Sequence, residues 1–281
     1  AVRDKGAEQS RHELLTRRIV SYLVLAILCF LCLFFFYVLL INATRNHYQI
    51  QRGFSFLPGK SFTTNLKNVL ADANIPILSG IKNSLVIAAL SAILSIYFSA
   101  LTAYGVHAYD FKLKKIASAF IILIMTMPTQ VSALGFLRLM TNMKLTDTLI
   151  PLFLPSIAAP TVYYFMVSYM KSNLPMEIVE AARIDGANSY QQLMRITIPL
   201  LRPIILVTAI MSTNGTLQLF DESVNLTRGG PGNMTITMSH YIYNTMFTKN
   251  PNFGYAAAMS FVILVMVAVL AAIQMKVGDK R

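Results

Sequence analysis

Long apolar runs separated by shorter polar segments dominate the pattern of hydrophobic and polar positions along the chain. Six runs approach the roughly 20 residues that an α-helix needs to cross the hydrocarbon core of a bilayer. They lie at about 19–41, 83–106, 116–137, 148–170, 201–220 and 254–275. The runs are too long and too uniformly apolar for barrel strands, and only helices or closed barrels satisfy their backbone in lipid. The predicted fold class is therefore an all-α polytopic membrane protein with six transmembrane helices.

Composition agrees with this prediction and narrows the chemistry. Of the 281 residues, 55% are hydrophobic and 13% are charged, whereas a soluble domain has about 25% charged residues. The two cysteines, Cys29 and Cys32, fall in the first run, where small apolar side chains on one helix face are the simplest interpretation. No histidines or acids have metal-ligand spacing, and no Ser/His/Asp or Cys/His set is present. The sequence predicts neither a catalytic residue nor a metal site.

The net charge is +12. The basic residues flank the apolar runs and do not form a patch with interleaved aromatic residues. They therefore indicate membrane topology and not nucleic-acid binding. The short loop "YDFKLKK" at 109–115 is rich in lysine, and short loops follow the positive-inside rule best. The first run is longer than the apolar region of a signal peptide and lacks a cleavage site. We expect an uncleaved first span, with both termini in the cytoplasm of a bacterial inner-membrane protein.

A polar, helix-prone insert at 175–199 interrupts the chain between the fourth and fifth runs. Pro175 suits a first helical turn, and residues 176–184 are good helix formers. Asp185-Gly186 then ends the helix, because glycine readily takes the positive φ of a helix C-terminus. The pattern predicts a short helix followed by a sharp turn.

A second short helix is predicted after this turn. Asn188 or Ser189 can cap it, and Pro199 is expected to close it. Two helices joined by a glycine turn at the cytoplasmic face form a bent shape that suits docking. The alternative is an amphipathic loop that lies on the membrane surface.

Two stretches carry a resemblance to a known family. Glu180-Ala181-Ala182, Asp185-Gly186-Ala187 and Ile196-Thr197-Ile198-Pro199 resemble the signature of permease subunits of binding-protein-dependent ATP-binding-cassette importers. Ile198 stands where leucine is usual. The segment "LQLFDESVNLTRGGPGNMT", with "YIYNTMF" and "FGYAAAMS" after it, is similar to the end of sugar-importer permeases of the maltose and multiple-sugar type. The resemblance covers roughly residues 80–275.

The resemblance implies a type-I importer core with a cytoplasmic coupling helix. The expected layout is a cytoplasmic segment (1–18), a first span (19–41), an external loop (42–80), the core (81–275, with the coupling insert 175–199) and a cytoplasmic tail (276–281). The implied partners are a second homologous permease, two ATPase subunits, an extracytoplasmic solute-binding protein and membrane lipid. Nucleic acid is not an expected partner.

In such importers the insert docks in a cleft of an ATPase subunit. Glu180 would pair with a basic side chain, the two alanines would allow close approach, and Gly186 would permit the bend. No Gly-x-x-x-x-Gly-Lys-Ser/Thr phosphate loop occurs in the chain. We therefore expect a transport subunit, not an enzyme, which binds no cofactor itself while its partners bind ATP and Mg. The docking residues implied are Glu180, Ala181, Ala182, Asp185, Gly186, Ile198 and Pro199.

A translocation path for a sugar needs amide side chains that form hydrogen bonds with its hydroxyl groups. It also needs aromatic side chains whose faces pack against the C–H sides of the sugar rings. Polar groups within spans are costly and are often functional, although Ser and Thr commonly just bond across helices. The predicted path residues are Asn214, Gln218, Gln130, Asn83, Tyr163 and Phe220.

Three alternative functions remain at this point. An importer permease for amino acids or peptides is the nearest one, although the Gly-Gly-Pro stretch argues against it. An ion-coupled secondary transporter would need acids deep in its spans, and an integral membrane enzyme would need His or Asp clusters. The sequence leaves the sugar open among maltodextrin-like, galactoside and acidic uronate oligosaccharides.

Overall fold

The regular structure in the described part of the chain is entirely helical. The computed structural model describes residues 2–71, 77–248 and 251–278, without the side chains of 2–13, 129–131 and 189. The helices are α1 Val2–Ala43, α2 His47–Gln51, α3 Phe62–Ala71, α4 Ile77–Ala108, α5 Lys114–Met125, α6 Thr129–Asn142, α7 Ile150–Phe153, α8 Pro160–Asn173, α9 Met176–Ile184, α10 Ser189–Gln192, α11 Ile198–Leu217, α12 Met238–Phe247 and α13 Phe253–Gly278, with a 3-10 turn at Leu154–Ile157 and π turns at Leu193–Thr197 and Ser223–Thr227.

Five helical stretches of the described chain are long and apolar enough to cross a membrane. They are Leu14–Ala43, Ile77–Ala108, Ile150–Asn173, Tyr190–Leu217 and Phe253–Gly278. Each contains or overlaps one of the predicted runs. The all-α membrane fold is thus confirmed, and the count of six spans is approximate.

The third predicted run, 116–137, is not one continuous helix. It is divided between α5 and α6, because Pro128 is in an extended conformation (φ −60°, ψ 125°) at the start of α6. α5 has 12 residues, or about 18 Å at 1.5 Å per residue, which is less than the ~30 Å of the hydrocarbon core. A proline lacks the backbone N–H that a continuous helix would need here.

The core of the bundle is built around α4, which packs against α8 and α11. Small polar side chains of α4 mediate these contacts: Ser95 Oγ is 3.1 Å from Ser212 Oγ of α11, and Ser99 Oγ donates to the Ala159 carbonyl at 3.3 Å. Small residues allow helix backbones to approach closely in membranes. Met166 and Met170 of α8 fill the buried space beside them.

The first helix lies outside this core. α1 packs along α13, and only 6% of its most apolar window is buried within the chain. Its exposed surface is formed mainly by aliphatic and aromatic side chains, which is the surface that lipid requires. The helix continues unbroken through the predicted boundary at residues 18 and 19.

The segment after α1 folds back onto the start of α13. Asn65 of α3 donates from Nδ2 to the carbonyls of Ala43 and Arg45, both at 2.9 Å. A Cβ atom at Gly254 would clash with the Arg45 carbonyl oxygen, so glycine permits this close contact. The predicted external loop therefore contains a small folded element that joins the first and last long helices.

Candidate functional site

Residues 175–199, called the elbow from here on, form a helix, a tight turn and a second helix. α9 begins after Pro175 and ends at Ile184, as the sequence predicts. Ala187 N–H donates to the Ala182 carbonyl at 2.9 Å and Gly186 N–H to the Arg183 carbonyl at 3.1 Å. This pair of bonds is a Schellman motif, which requires a left-handed residue after the helix. Gly186 fills that position with φ +86°.

The second helix of the elbow is capped as expected but does not end where expected. Gln191 N–H donates to Asn188 Oδ1 at 2.8 Å, and Asn188 N–H donates to Gln191 Oε1 at 2.9 Å. Of the two predicted caps, Asn188 forms, and the side chain of Ser189 lies outside the described part. Each side chain satisfies a backbone N–H of the other, which is the reciprocal arrangement of a capping box.

Pro199 does not close this helix, and that prediction is wrong. The chain passes from α10 through the π turn Leu193–Thr197 directly into α11. Ile198 N–H donates to the carbonyl of Leu193, five residues back. This wider turn lies immediately before Pro199, whose missing N–H would interrupt a regular α-helix. The elbow and the fifth span therefore form one helical stretch, Tyr190–Leu217.

At its N-terminal end, the elbow is attached to the core of the bundle through buried side chains. Leu174 and Val179 belong to the same packed cluster as Met166 and Met170 of α8. His107 at the end of α4 is hydrogen-bonded through Nε2 to the Leu174 carbonyl at 2.9 Å. A displacement of α9 must therefore move the ends of α4 and α8 with it.

The opposite face of the elbow is exposed. Glu180, Ala181, Asp185 and Gly186 are exposed, and Ala182 is half-buried. Ile198 and Pro199 are also exposed, at the start of α11 after the π turn. The structure therefore groups five of the seven predicted docking residues around one turn and places the other two further along the chain.

Two apolar side chains on this face were missed from the sequence. Ile184 is 86% exposed and Tyr190 is 67% exposed, on either side of the glycine turn. Met194 and Ile178 are exposed as well. Adjacent exposed apolar side chains commonly mark protein or membrane contacts. The position of Ile184 directly before the polar Asp-Gly turn is a weak sequence signal, and its exposure is visible only in the folded chain.

The predicted path residues Asn83 and Tyr163 lie within the packed part of the chain. Asn83 is 8% exposed and donates from Nδ2 to the carbonyls of Met234 at 2.8 Å and Ile236 at 3.1 Å. Tyr163 is 4% exposed and belongs to the α8 core cluster. In this structure both side chains support packing, and their role in a path stays a prediction.

Three of the other path candidates lie near the end of α11. Asn214 is half-buried, and its Oδ1 atom has no hydrogen-bond partner among the described residues. Gln218 and Phe220 lie beyond α11, which ends at Leu217, so the predicted fifth span is too long at this end. Gln218 is exposed, and the Phe220 ring lies 5.1 Å from the ring of Tyr243. Gln130 belongs to α6, and its side chain lies outside the described part.

The Thr-Arg-Gly-Gly-Pro stretch forms a tight loop beside these residues. Arg228 and Gly229 have positive φ angles of 53° and 75°. Buried Ser223 lies 3.0 Å through Oγ from Nδ1 of His240, in α12. Burial lowers the pKa of His240, which favours the neutral imidazole at pH 7. In the described residues no group of three or more His, Cys, Asp and Glu side chains is placed to hold a metal ion.

Replacing Asn83 by leucine is expected to destabilise the protein. The substitution leaves the carbonyls of Met234 and Ile236 without their side-chain donor, and an unpaired buried polar group costs about 1–3 kcal/mol. The apparent melting temperature of the purified protein in detergent should fall. Asn68→Leu changes an exposed asparagine of α3 and should leave that temperature unchanged. Equal melting temperatures for both variants would contradict the supporting role of Asn83.

Comparison with known proteins relates this architecture to transport. The lactose transport system permease protein LacF of Rhizobium radiobacter is 49% identical over 122 residues, which are 42% of this chain and 41% of LacF. The multiple sugar-binding transport system permease protein MsmF of Streptococcus mutans is 34% identical over 160 residues, which are 55% of this chain and 54% of MsmF. The matched part thus spans about half the length of each relative.

A solved structure and a family model extend the comparison over more of the chain. A bacterial ABC transporter involved in the import of the acidic polysaccharide alginate shares the fold, with a TM-score of 0.75, 18% identity and coverage of 92% of this chain and 95% of that chain. Residues 95–279, which include α8, the elbow and α11–α13, match the family model for binding-protein-dependent transport system inner membrane components. This match covers more than half of the sequence, and the chain therefore belongs to the family of binding-protein-dependent transport system inner membrane components.

Proposed function

We propose that the chain is a permease subunit of an ATP-binding-cassette importer for oligosaccharides. The observation that carries the proposal is the elbow: a turn held by hydrogen bonds, exposed on one face and anchored in the core on the other. The names of the matched relatives, which transport lactose or multiple sugars, support a sugar as the substrate. The fold neighbour that imports alginate is consistent with an oligosaccharide.

In this proposal the elbow faces the cytoplasm and docks on an ATPase subunit. A second permease completes the translocation path, a second ATPase subunit docks on that permease, and a solute-binding protein delivers the sugar at the opposite face. The ATPase pair binds ATP and Mg and closes, which draws the two elbows together. Because α9 is fixed to α4 and α8, this motion would reorient the spans by rigid-body rocking. Both termini would lie on the cytoplasmic side of the inner membrane.

Reconstitution tests this function against its alternatives. The chain is co-expressed with its partner permease, ATPase and binding protein, and the complex is placed in proteoliposomes. ATP hydrolysis should rise when the binding protein is loaded with an oligosaccharide, and labelled sugar should enter the vesicles. Stimulation by amino acids or peptides alone would favour the alternative importer class, and uptake driven by an ion gradient without ATP would favour a secondary transporter.

Gln218 and Asn214 are the polar side chains best placed to contact sugar in this path. Gln218 is exposed just past the end of α11, and one turn earlier the amide oxygen of Asn214 has no partner among the described residues. Asn214→Leu combined with Gln218→Leu should lower oligosaccharide uptake at least about fivefold, since two lost hydrogen bonds of about 0.5–1.5 kcal/mol each together correspond to about 5- to 150-fold. Co-purification of the ATPase should be unchanged. Uptake by the double variant at the wild-type rate would show that these two side chains do not contact the sugar.

A further inference from the structure

The loop after α2 folds back along the first helix. This segment, residues 52–60 with the sequence "RGFSFLPGK", is called the hook from here on. The Phe54 ring lies 5.8 Å from the ring of Phe34 in α1 and 4.6 Å from the ring of Phe56. The Tyr37 hydroxyl of α1 donates to the Phe56 carbonyl. The hook thus lies alongside the last turns of α1.

The hook is held in this position by the buried polar groups at its base. The Arg45 side chain is buried and donates to the carbonyls of Gln49 and Gly53, the latter at 3.0 Å. At the other end, Gly59 N–H donates to Thr44 Oγ1 at 2.8 Å. A Cβ atom at Gly59 would clash with the Thr44 carbonyl oxygen. Since both ends of the hook are fixed, its exposed side chains are presented in a defined arrangement.

Apolar side chains with flanking cations form the free surface of the hook. Phe56 is 62% exposed and Leu57 is 75% exposed, and Phe54 is also exposed. Arg52 and Lys60, at the two ends, are exposed as well. The sequence from Thr44 to Ala71 contains no Asp or Glu. The surface is therefore apolar at its centre and only positively charged at its edges.

The contacts with α1 place this surface at the edge of the bilayer. Phe34 and Tyr37 belong to the apolar run of α1, which is almost unburied within the chain. Tyr37 lies six residues before the end of α1 at Ala43, or about 9 Å along the helix axis. The hook therefore adjoins an exposed apolar surface of α1 close to the end of that helix.

We propose that the hook is a membrane-interface anchor that inserts Phe54, Phe56 and Leu57 between the lipids and binds anionic phospholipid headgroups through Arg52 and Lys60. Tyrosine, here Tyr37, is enriched at this depth, and basic side chains extend toward phosphates beside it. An apolar face flanked by cations is the pattern of segments that lie in the interface of anionic membranes. Continuity with the lipid-facing surface of α1 favours lipid over a protein partner. The anchor would hold the folded element 44–71, and with it the start of α13, at a fixed depth.

Spin-label accessibility tests the anchor in the full-length chain. A single cysteine replaces Phe56 in a variant whose native cysteines are removed (Cys29→Ser, Cys32→Ser), and the labelled protein is placed in nanodiscs with or without phosphatidylglycerol. The label at position 56 should collide preferentially with oxygen, which dissolves in lipid. A matched label at Lys67, exposed on α3, should collide preferentially with a water-soluble nickel complex.

The headgroup contribution is measured in the same experiment. The label at position 56 should lie deeper in the bilayer when phosphatidylglycerol is present. The double substitution Arg52→Gln and Lys60→Gln should remove this dependence on the anionic lipid. A label at position 56 that is reached mainly by the nickel complex would overturn the proposal. A label shielded from both reagents would also overturn it, because a protein surface would then cover the hook.

Discussion

Replacing Gly186 by valine is expected to reduce ATP-driven uptake by tenfold or more while the subunit still inserts into the membrane. Gly186 has φ +86°, and the left-handed conformation costs a residue with a Cβ atom about 1–2 kcal/mol, more when it is β-branched. The valine would favour a different turn and thereby redirect α9 relative to α10. Because the proposed docking depends on the shape of this turn, hydrolysis and transport should become uncoupled. Uptake and sugar-stimulated ATP hydrolysis in proteoliposomes measure the effect.

A Cβ atom at position 186 would meet no other atom within 4 Å, so the effect comes from backbone conformation and not from a clash. Two controls use this fact. Gly186→Asn should retain more activity than Gly186→Val, since asparagine tolerates the left-handed region. Gly105 in α4 also has open space around its Cβ position, and its φ is not positive. The Gly105→Ala variant should therefore transport normally, whereas the Gly186→Ala variant should not. Wild-type uptake and stimulation in Gly186→Val would contradict the docking role of the elbow.

Replacing Ile184 by aspartate is expected to abolish co-purification of the ATPase. Ile184 is 86% exposed at the tip of α9, where an apolar cleft of a partner would bury it. Loss of a central apolar anchor costs an interface about 2 kcal/mol or more, and burying an unpaired carboxylate adds to this loss. The affinity should therefore fall by at least about 30-fold. Pull-down of the ATPase from detergent-solubilised membranes, followed by a binding titration, measures it.

The matched controls for this substitution separate the contact from folding. Ile184→Leu should bind the ATPase almost as wild type, because it keeps the apolar surface. Tyr109→Asp alters another exposed apolar residue, 62% exposed in the loop after α4, and should not affect binding. Since Ile184 is outside the core, the melting temperature of Ile184→Asp should be unchanged. Full recovery of the ATPase with Ile184→Asp would show that this side chain is not in the interface.

The elbow connects to the spans in two different ways. On the α8 side, Leu174 and Val179 are packed in the core, and the hydrogen bond of His107 to the Leu174 carbonyl links the start of the elbow to α4. On the α11 side, the connection is the π turn Leu193–Thr197, in which Thr197 is buried. π turns inside helices frequently occur at functional sites. Force applied at α9 would thus reach α4 and α8 through packed side chains and α11 through an irregular turn.

The elbow was predictable from the sequence because its determinants are local. A Schellman turn needs a glycine after the helix, and a capping box needs Asn188 and Gln191 three residues apart, so neither depends on distant contacts. The long apolar runs were predictable for a similar reason, since lipid imposes both length and composition. Ile184 was missed because an isoleucine in a helix suggests burial, and its exposure is visible only in the folded chain.

The features that differ from prediction depend on distant or subtle geometry. Pro128 interrupts the third run, but a proline within a span is often tolerated, so the break could not be inferred. Pro199 lies inside a helical stretch because a π turn precedes it, and no sequence pattern announces that turn. Asn83 bonds to carbonyls about 150 residues further along the chain. Long-range contacts of this kind decide whether a polar side chain supports packing or faces a path.

Site-specific crosslinking at the tip of the elbow tests the proposed function most directly. A cysteine is introduced at Ile184 in the variant that lacks Cys29 and Cys32, and a photoactivatable crosslinker is attached to it in the assembled complex in membranes. The proposal predicts one major adduct, with the ATPase subunit, and no such adduct from a matched cysteine at Tyr109. A label at position 184 that stays accessible to water, or that reacts with lipid, while the ATPase is bound would contradict it.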